Sequence, residues 1–432
     1  MVKINIPETE QKRIVIIGGG FGGLMLARKL SKNKKLQVVL IDKENYHQFQ
    51  PLFYQVAMAG LEPSSIIFPF RKIFQKKKNV FIRVAEMTKI IPEEKRIETT
   101  LGICNYDELI LAVGATTNFF GNEEIEKNAI PMKSVSEALA LRNSILEDYE
   151  IALSVTDHDT RQGYIDIVIV GGGPTGVEVA GALAEMKKYI IPKDFHELDT
   201  REIDIWLVQS GNRLLPGMSD EAGEGALKFL TDLGVNVKLN TRVTAYDGEF
   251  VSTKTDEKFR TRKMIWAAGI QGNPVPGLPQ ECGERGGRIR VNEYNQVAGF
   301  EDIYAVGDVA CMKSEDLPRG HPQVAQVAMQ QAKNLAENIC NSLKDKELRA
   351  FKYKDLGSMA TIGRNRAVVD LPRFKFKGTF AWLMWLVVHL SQILGVRNKL
   401  IVMLNWLVSY FTYDQSLRVI LKVDDRKKNP NL

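Results

Sequence analysis

The chain has 432 residues, room for two or three domains with a sizeable core. Its four cysteines, Cys104, Cys282, Cys311 and Cys340, are scattered with no C-x-x-C pair, which argues against a disulfide framework or a zinc site and suits a reducing compartment, so no metal is expected. The net charge of +6 is unevenly placed: from Thr361 onward 12 Lys+Arg stand against 4 Asp+Glu, a local +8, and this basic, tryptophan-bearing tail points to an anionic membrane surface and away from nucleic acid.

No apolar segment precedes Ile14, so no signal peptide is expected. Ile14, Val15, Ile16 and Ile17 form a β-branched apolar run that reads as a buried parallel strand. Gly18, Gly20 and Gly23 follow in G-x-G-x-x-G spacing, and Leu24 to Leu30 reads as a helix. Glycines there permit a tight turn, close backbone approach to a pyrophosphate and close helix–strand packing, and the helix N-terminus offers N–H groups to phosphate. The next strand, Val38 to Ile41, ends in Asp42, placed to accept hydrogen bonds from a ribose. The stretch from Asn45 to Ile66 is polar and aromatic and reads as a loop passing near a ligand, with a helix start at Glu62-Pro63-Ser64-Ser65. His47 within it is either a ligand or a hydrogen-bonded residue of a packed loop. Lys76 to Lys78 is a solvated turn, and Leu109 to Val113 is a buried strand ending in the small-residue turn Gly114 to Asn118.

Ser134 to Val155 has a long helical pattern, followed by a polar loop from Thr156 to Gly163. The opening pattern then recurs: a strand over Ile165 to Val170, the glycines Gly171, Gly173 and Gly176, a helix from Val177 to Tyr189, and a strand over Ile203 to Val208 that ends in Gln209. Further strands are expected at Val235 to Leu239 and Lys263 to Trp266. A late strand, Ile303 to Val306, closes on Gly307-Asp308 and precedes a helix from about Gln323 to Leu343. The expected fold class is α/β: two Rossmann-like dinucleotide-binding domains, the first discontinuous, plus a C-terminal amphipathic helical region. The expected division is 1–120 and 291–360 for the first domain, 121–290 for the second, and 361–432 for membrane association.

Two dinucleotide folds in one chain point to two-cofactor redox chemistry, for which a flavin and a nicotinamide are the natural pair, since hydride passes between them without a side-chain nucleophile. Gly307-Asp308 fits a flavin: the acid can hold ribityl hydroxyls, and the helix that follows can aim its dipole at the ring. Read alone, it is better taken as a common strand-to-helix turn with a capping Asp; with both glycine fingerprints present, the flavin is favoured.

These residues together resemble the type II NADH:quinone oxidoreductases, the single-subunit alternative NADH dehydrogenases. The resemblance runs from about Lys12 to Leu421, in IVIIGGGFGG, NYHQFQPLFYQVA, GATTNFFG, IVGGGPTGVEVAGALAE, YAVGDVA, AQVAMQQA and AWLMWLVVHL. The glycine motifs and YAVGD are shared with many flavin reductases; AQVAMQQ and the tryptophan-rich tail are specific to this family. The resemblance implies FAD at the first fold, NADH at the second with NADPH as an open alternative, and a membrane quinone as acceptor. By position, Gly18, Gly20, Gly23 and Asp42 would hold the adenosine end of FAD, and Gly307 and Asp308 its ribityl chain. Gly171, Gly173 and Gly176 would cradle the pyrophosphate of the nicotinamide nucleotide. Glu178 matches a glutamate near the nicotinamide–flavin contact, Lys354 a lysine close to the flavin ring, and Gln326 and Gln330 the glutamines of the quinone site. Without the resemblance, Glu178 is an acid in a helix's first turn, Lys354 a surface lysine, and Gln326 and Gln330 members of a Gln-rich helix that also holds Gln323 and Gln331. The resemblance further implies a homodimer, peripheral on the cytoplasmic face of the inner membrane. No spanning proton path is evident, so no proton pumping is expected.

One position departs from the family pattern. The second fold's β-strand ends in LVQSGNRLLP, with Gln209 where a carboxylate is usual. A carboxylate binds a ribose 2′-hydroxyl and repels a 2′-phosphate; a neutral amide does not repel it, and Arg213 is close enough in sequence to pair with one. In the tail, Thr379 to Gly395 is nearly all apolar but at the lower limit of length for a span. Asn405, Ser409 and Thr412 mark a polar stripe on a second helix, and Trp382, Trp385, Trp406, Tyr410 and Tyr413 suit an interfacial plane. The expectation is two helices lying on a membrane, with Arg373, Lys375, Lys377, Arg397 and Lys399 toward headgroups; a spanning hairpin and a buried dimer interface are the alternatives. A disulfide reductase is excluded because no cysteine follows Asp42 until Cys104. A sulfide:quinone reductase, through Cys282, Cys311 and Cys340, and a non-catalytic nucleotide-sensing scaffold remain the other readings.

Overall fold

The computed structural model describes residues 2–414 and 417–421, so the last part of the C-terminal region, 422–432, lies outside the described residues. In chain order, the elements that position the site begin with β1 (Lys12–Ile17), α1 (Phe21–Leu30), β2 (Leu36–Asp42), α2 (Phe53–Ala57), β3 (Val80–Val84), β4 (Glu108–Leu111) and β5 (Ile130–Pro131). They continue with α3 (Val135–Ala152), β6 (Ile167–Val170), α4 (Pro174–Tyr189), β7 (Ile205–Val208), α5 (Asp220–Asp232), β8 (Asn236–Lys238), β9 (Lys263–Trp266) and β10 (Ile303–Ala305). The last are α6 (Ala325–Ser342), β11 (Ser358–Gly363), β12 (Arg366–Asp370), β13 (Lys375–Lys377), α7 (Thr379–Gln392) and α8 (Val396–Thr412).

The chain divides into two compact units. The first comprises Met1–Gln48, Ile67–Asn118 and Ile270–Leu356. Its centre is a five-stranded parallel sheet in the order β10-β4-β1-β2-β3. Ile14, Val15 and Ile16 in β1 are fully buried, as a strand covered on both faces requires. Helices α1 and α6 pack against each other in this unit.

The second unit comprises Phe49–Ile66, Phe119–Gly269 and the chain from Gly357 onward. Its parallel sheet has the order β5-β9-β6-β7-β8, so a central glycine-tipped strand again pairs with the strand carrying the terminal acid or amide. A three-stranded antiparallel sheet, β11-β12-β13, supports α7 through Ala367, Val369 and Ala381.

Three differences from the sequence reading have identifiable causes. The segment 270–290 belongs to the first unit because Ile270–Gly272 pairs antiparallel with Ala115–Thr117, a ribbon that returns the chain earlier than Arg290. The polar stretch after Val155 is a helix, His158–Ile165: Asp157 caps it by accepting from the Thr160 backbone N–H at 2.9 Å. The loop after Asp42 contains the short α2, whose buried Phe53, Tyr54, Val56 and Ala57 draw it into the second unit's core. The long helical pattern starts as read, with a capping box between Ser134 and Glu137 fixing the beginning of α3.

Candidate functional site

The two glycine turns repeat one geometry. In the first unit, Gly18 has φ of +98°, and a Cβ there would lie 2.3 Å from the Ala112 carbonyl oxygen. Its counterpart in the second unit, Gly171, has φ of +113°, with a Cβ 2.5 Å from the Ala267 oxygen. Side chains are excluded in the same way at the helix end: a Cβ on Gly23 would lie 1.8 Å from Gly18 O, and one on Gly176 1.9 Å from Gly171 O. Both turns therefore hold helix against strand at backbone contact. The middle glycines, Gly20 and Gly173, face open space with no atom within 4 Å of a Cβ. That open approach, next to the N–H groups of α1 and α4, fits a pyrophosphate at each turn.

The acid and the amide at the strand ends are also matched. Asp42 Oδ2 accepts from the Gly19 N–H at 2.5 Å, and Oδ1 accepts from Glu44 N–H at 2.7 Å. Burial pushes the Asp42 carboxyl up against these two bonds. Gln209 Oε1 accepts from Gly172 N–H at 2.9 Å in the same way. Arg213 does not stand ready for a 2′-phosphate: it pairs with Asp220 and donates to the Pro216 and Met218 carbonyls, each at 2.8 Å. His47 is a packed-loop residue. Its Nδ1 is 3.0 Å from the Gly19 carbonyl, burial holds its imidazole below the usual range, and so Nδ1 carries the proton it donates.

In the first unit, β10 leads into the Gly307-Asp308 turn, and α6 comes later in the chain. Gln323, just before α6, and Gln326, Gln330 and Gln331 within it all grip backbone. Gln331, buried, accepts from the Gly307 N–H at 2.8 Å, and Gln323 donates to the Asp308 carbonyl at 2.9 Å. Gln330 holds Lys354 on both sides, donating to its carbonyl at 2.9 Å and accepting from its N–H at 3.0 Å. Gln326 Oε1 accepts from the Leu356 N–H at 3.1 Å. The structure thus brings Gln326, Gln330 and Lys354 together: two amides one turn apart strap 354–356 along the face of α6. The i, i+4 spacing was legible; that the amides serve the backbone was not.

In the second unit, Glu178 lies in the first turns of α4 and lines a cavity of about 100 Å³. Tyr54 and Gln55 of α2, Thr361 of β11, and Trp382 and Trp385 of α7 share that lining. Burial pushes the Glu178 carboxyl up to about 8, although the Thr361 backbone and the Trp385 indole face it and favour its charged form. At neutral pH this carboxyl is mostly protonated. Trp385 is 1% exposed and stacks on His389 at 4.0 Å, and burial pushes the His389 imidazole down to about 4. Trp385 therefore roofs the cavity and does not lie in an interfacial plane. The inward stripe of α8 is Asn398, Val402, Trp406 and Ser409: Asn398 donates to Ser64 O at 3.3 Å, and Trp406 donates to Gln55 at 2.7 Å. Sequence reasoning missed Tyr54, Gln55 and Trp385 as site residues. The signal was the apolar spacing of PLFYQVA, too short for a helical periodicity to stand out.

The opposite faces of α7 and α8 expose Phe380, Leu383, Val387, Leu400, Leu404 and Phe411. Arg373 and Arg397 are exposed near them, while Lys375 pairs with Glu221 at 3.2 Å and Lys399 donates to Ser391 O at 2.7 Å. With 14 and 17 residues, both helices fall short of the roughly 20 a span needs, and among the described residues no helix is long and apolar enough to cross a membrane. All four cysteines are free: Cys104, Cys282 and Cys311 are buried, and Cys282 and Cys311 donate to the backbone carbonyls of Ala298 and Arg319.

Each unit carries a glycine turn of one design, the first also holding Asp42 and the Gly307-Asp308 turn, and this is the fold of the two-dinucleotide flavoprotein reductases. Residues 12–332 match the pyridine nucleotide-disulphide oxidoreductase family, and residues 356–413 match the NDH2 C-terminal domain. A type II NADH:quinone oxidoreductase of Mycobacterium tuberculosis is 34% identical over 415 residues, 93% of this chain and 88% of that protein. The structure of NDH2 from Plasmodium falciparum in complex with NADH superposes with a TM-score of 0.86 at 22% identity, covering 95% of this chain and 100% of that one. A sulfide:quinone oxidoreductase from Aquifex aeolicus shares the fold, with a TM-score of 0.71 at 20% identity over 93% of this chain and 95% of that one. The chain belongs to the type II NADH:quinone oxidoreductase family.

Proposed function

We infer that this chain carries electrons from NADH, through FAD, to a quinone, with no proton-pumping step. The observation that carries the reading is the pairing of two intact nucleotide cradles in a chain alike over 93% of its length to a type II NADH:quinone oxidoreductase. FAD supplies the hydride acceptor and the relay of an electron pair to the quinone. The turn at Gly18, Gly20 and Gly23 would take its pyrophosphate, Asp42 its adenosine ribose, and Gly307-Asp308 its ribityl chain. The turn at Gly171, Gly173 and Gly176 would take the pyrophosphate of NADH, with Gln209 at its ribose. In the proposed mechanism, Gln326 and Gln330 hold the Lys354 segment at the quinone end of the first unit. Glu178, kept mostly protonated by burial, can hold or release a proton near neutral pH.

The exposed apolar faces of α7 and α8, with Arg373 and Arg397 beside them, support docking on an anionic membrane surface, on the cytoplasmic side. A homodimer is proposed on the family resemblance. The test is NADH oxidation by the purified, detergent-solubilised protein with and without a short-chain quinone. Quinone-dependent turnover, with flavin absorbance bleached by NADH and restored by quinone, is expected. Bleaching without restoration by any quinone sinks the acceptor assignment, and with it the roles of Gln326 and Gln330.

A further inference from the structure

The Glu178 cavity has a second wall whose polarity is fixed by chemistry alone. The indole of Trp406, on α8, can only donate. It donates to Gln55 Oε1 at 2.7 Å, so the oxygen of that amide faces Trp406 and the NH2 faces the other way. That NH2 donates to the Tyr54 hydroxyl oxygen at 2.7 Å. The hydroxyl oxygen therefore accepts from Gln55, which leaves its own proton to be given to a different partner. Tyr54 and Glu178 line one cavity. Tyr54 is 7% exposed, and burial, with the Glu178 carboxylate adding to it, pushes its phenol well above the usual range.

We propose that Tyr54 is a positioning residue for the Glu178 carboxyl, its O–H aimed into the cavity by Trp406 acting through Gln55. The proposal rests on the role given to Glu178 above. Its consequence is a link between the tail and the site. α8 carries an exposed apolar face on one side and the indole that orders this chain on the other, so seating α8 also sets the donor at Glu178. A phenol donating to the carboxylate favours the charged form, and an unaimed phenol does not. The other titratable or charged groups around the carboxyl are Glu185 on α4 itself, Arg364 from the β11–β12 turn, Tyr410 of α8 and His389 from α7, with Tyr189, Asp232, Arg366 and Tyr413 at the Glu185 end. None of them hydrogen-bonds Tyr54, Gln55 or the Trp406 indole in the bonds described above, so the chain can be cut without touching them.

The experiment uses the full-length, flavin-loaded protein and reads the apparent pKa of quinone-dependent turnover between pH 6 and 10. Tyr54→Phe removes the donor, and Trp406→Phe keeps an aromatic ring but removes the group that orients Gln55. Each is expected to raise the apparent pKa by roughly half to one unit. The double variant is expected to shift no further than Tyr54→Phe alone, because Trp406 acts through Tyr54. A packing role for Trp406 predicts additive effects instead. Gln55→Met cuts the chain at its centre and is expected to give the same shift, which keeps the test open if a Trp406 variant fails to accumulate. An unmoved pKa in Trp406→Phe or Gln55→Met, or additive shifts, overturns the proposal while leaving Glu178 in place. A titration that persists unchanged in Glu178→Gln overturns the role of Glu178 itself.

Discussion

Glu178 and Gln209 show how one atom's surroundings decide a residue's use. Burial penalises the Glu178 charge and pushes its carboxyl up to about 8 in the folded chain, against an ordinary 4.5. The folded state thus binds more protons than the unfolded one between those values, and stability falls as pH rises through that window. Asp166, pushed up by burial to about 7, acts with the same sign. Thermal midpoints measured from pH 5 to 9 should therefore decline, and Glu178→Gln should show a shallower decline. Equal slopes in the two proteins count against the buried carboxyl. At Gln209, the amide oxygen is committed to Gly172, and Arg213 is committed to Asp220 and two carbonyls. What remains of an NADPH preference is the missing repulsion of a carboxylate. Gln209→Glu should raise the ratio of kcat/KM for NADH over NADPH by about tenfold, the scale of one charged hydrogen bond. A large NADH preference that the substitution leaves unchanged removes the idea that NADPH is tolerated.

At the scale of elements, α4 does two things at once. Its N-terminal end holds Gly173 and Gly176 of the second glycine turn, and its second turn carries Glu178 past β11. The approach of α4 to β11 is set by Gly181, where a Cβ would lie 1.7 Å from the Ile362 carbonyl oxygen. Helix propensity favours Gly181→Ala by about 1 kcal/mol, but the clash is with backbone and cannot be relieved by a rotamer. The variant is expected to lose about 2 kcal/mol or more of stability in urea unfolding. A stabilised Gly181→Ala protein would mean that the helix sits farther from the strand than described. In the first unit, Gln323 and the glutamines of α6 clamp two separate segments, 307–308 and 354–356. A polar helix face that looks solvated in sequence is here a set of backbone partners.

Across the whole chain, the C-terminal region is both surface and core. Ala381 and Val402 are fully buried and Trp385 is 1% exposed, yet Phe380, Val387 and Phe411 are at least 65% exposed. The inner side closes the Glu178 cavity; the outer side is the membrane-docking face proposed above. Truncation after Lys377 should release the protein from anionic vesicles in co-sedimentation. It should also lower the thermal midpoint and abolish quinone reduction, because the cavity loses its roof. A truncate that keeps full quinone turnover would show that α7 and α8 serve docking alone.

How much of this was legible in advance follows the range of the interactions. The glycine spacings, the apolar strands before them and the residue after the second strand are local patterns, and both cradles, Asp42 and Gln209 could be read from them. The spacing of Gln326 and Gln330 on one helix face was equally local. The capped helix at His158–Ile165 was missed because one Asp side chain outweighs a polar composition. The short α2, the return of the chain at Ile270–Gly272 and the clamp on Lys354 depend on partners far away in sequence. The tail shows the division most plainly. Its sequence set an apolar, tryptophan-rich composition, which either a bilayer or a protein core would satisfy. Only the tertiary structure assigned each side chain a face: the bond from Trp406 to Gln55, 351 residues apart in the chain, turns one side of α8 inward and leaves the other exposed.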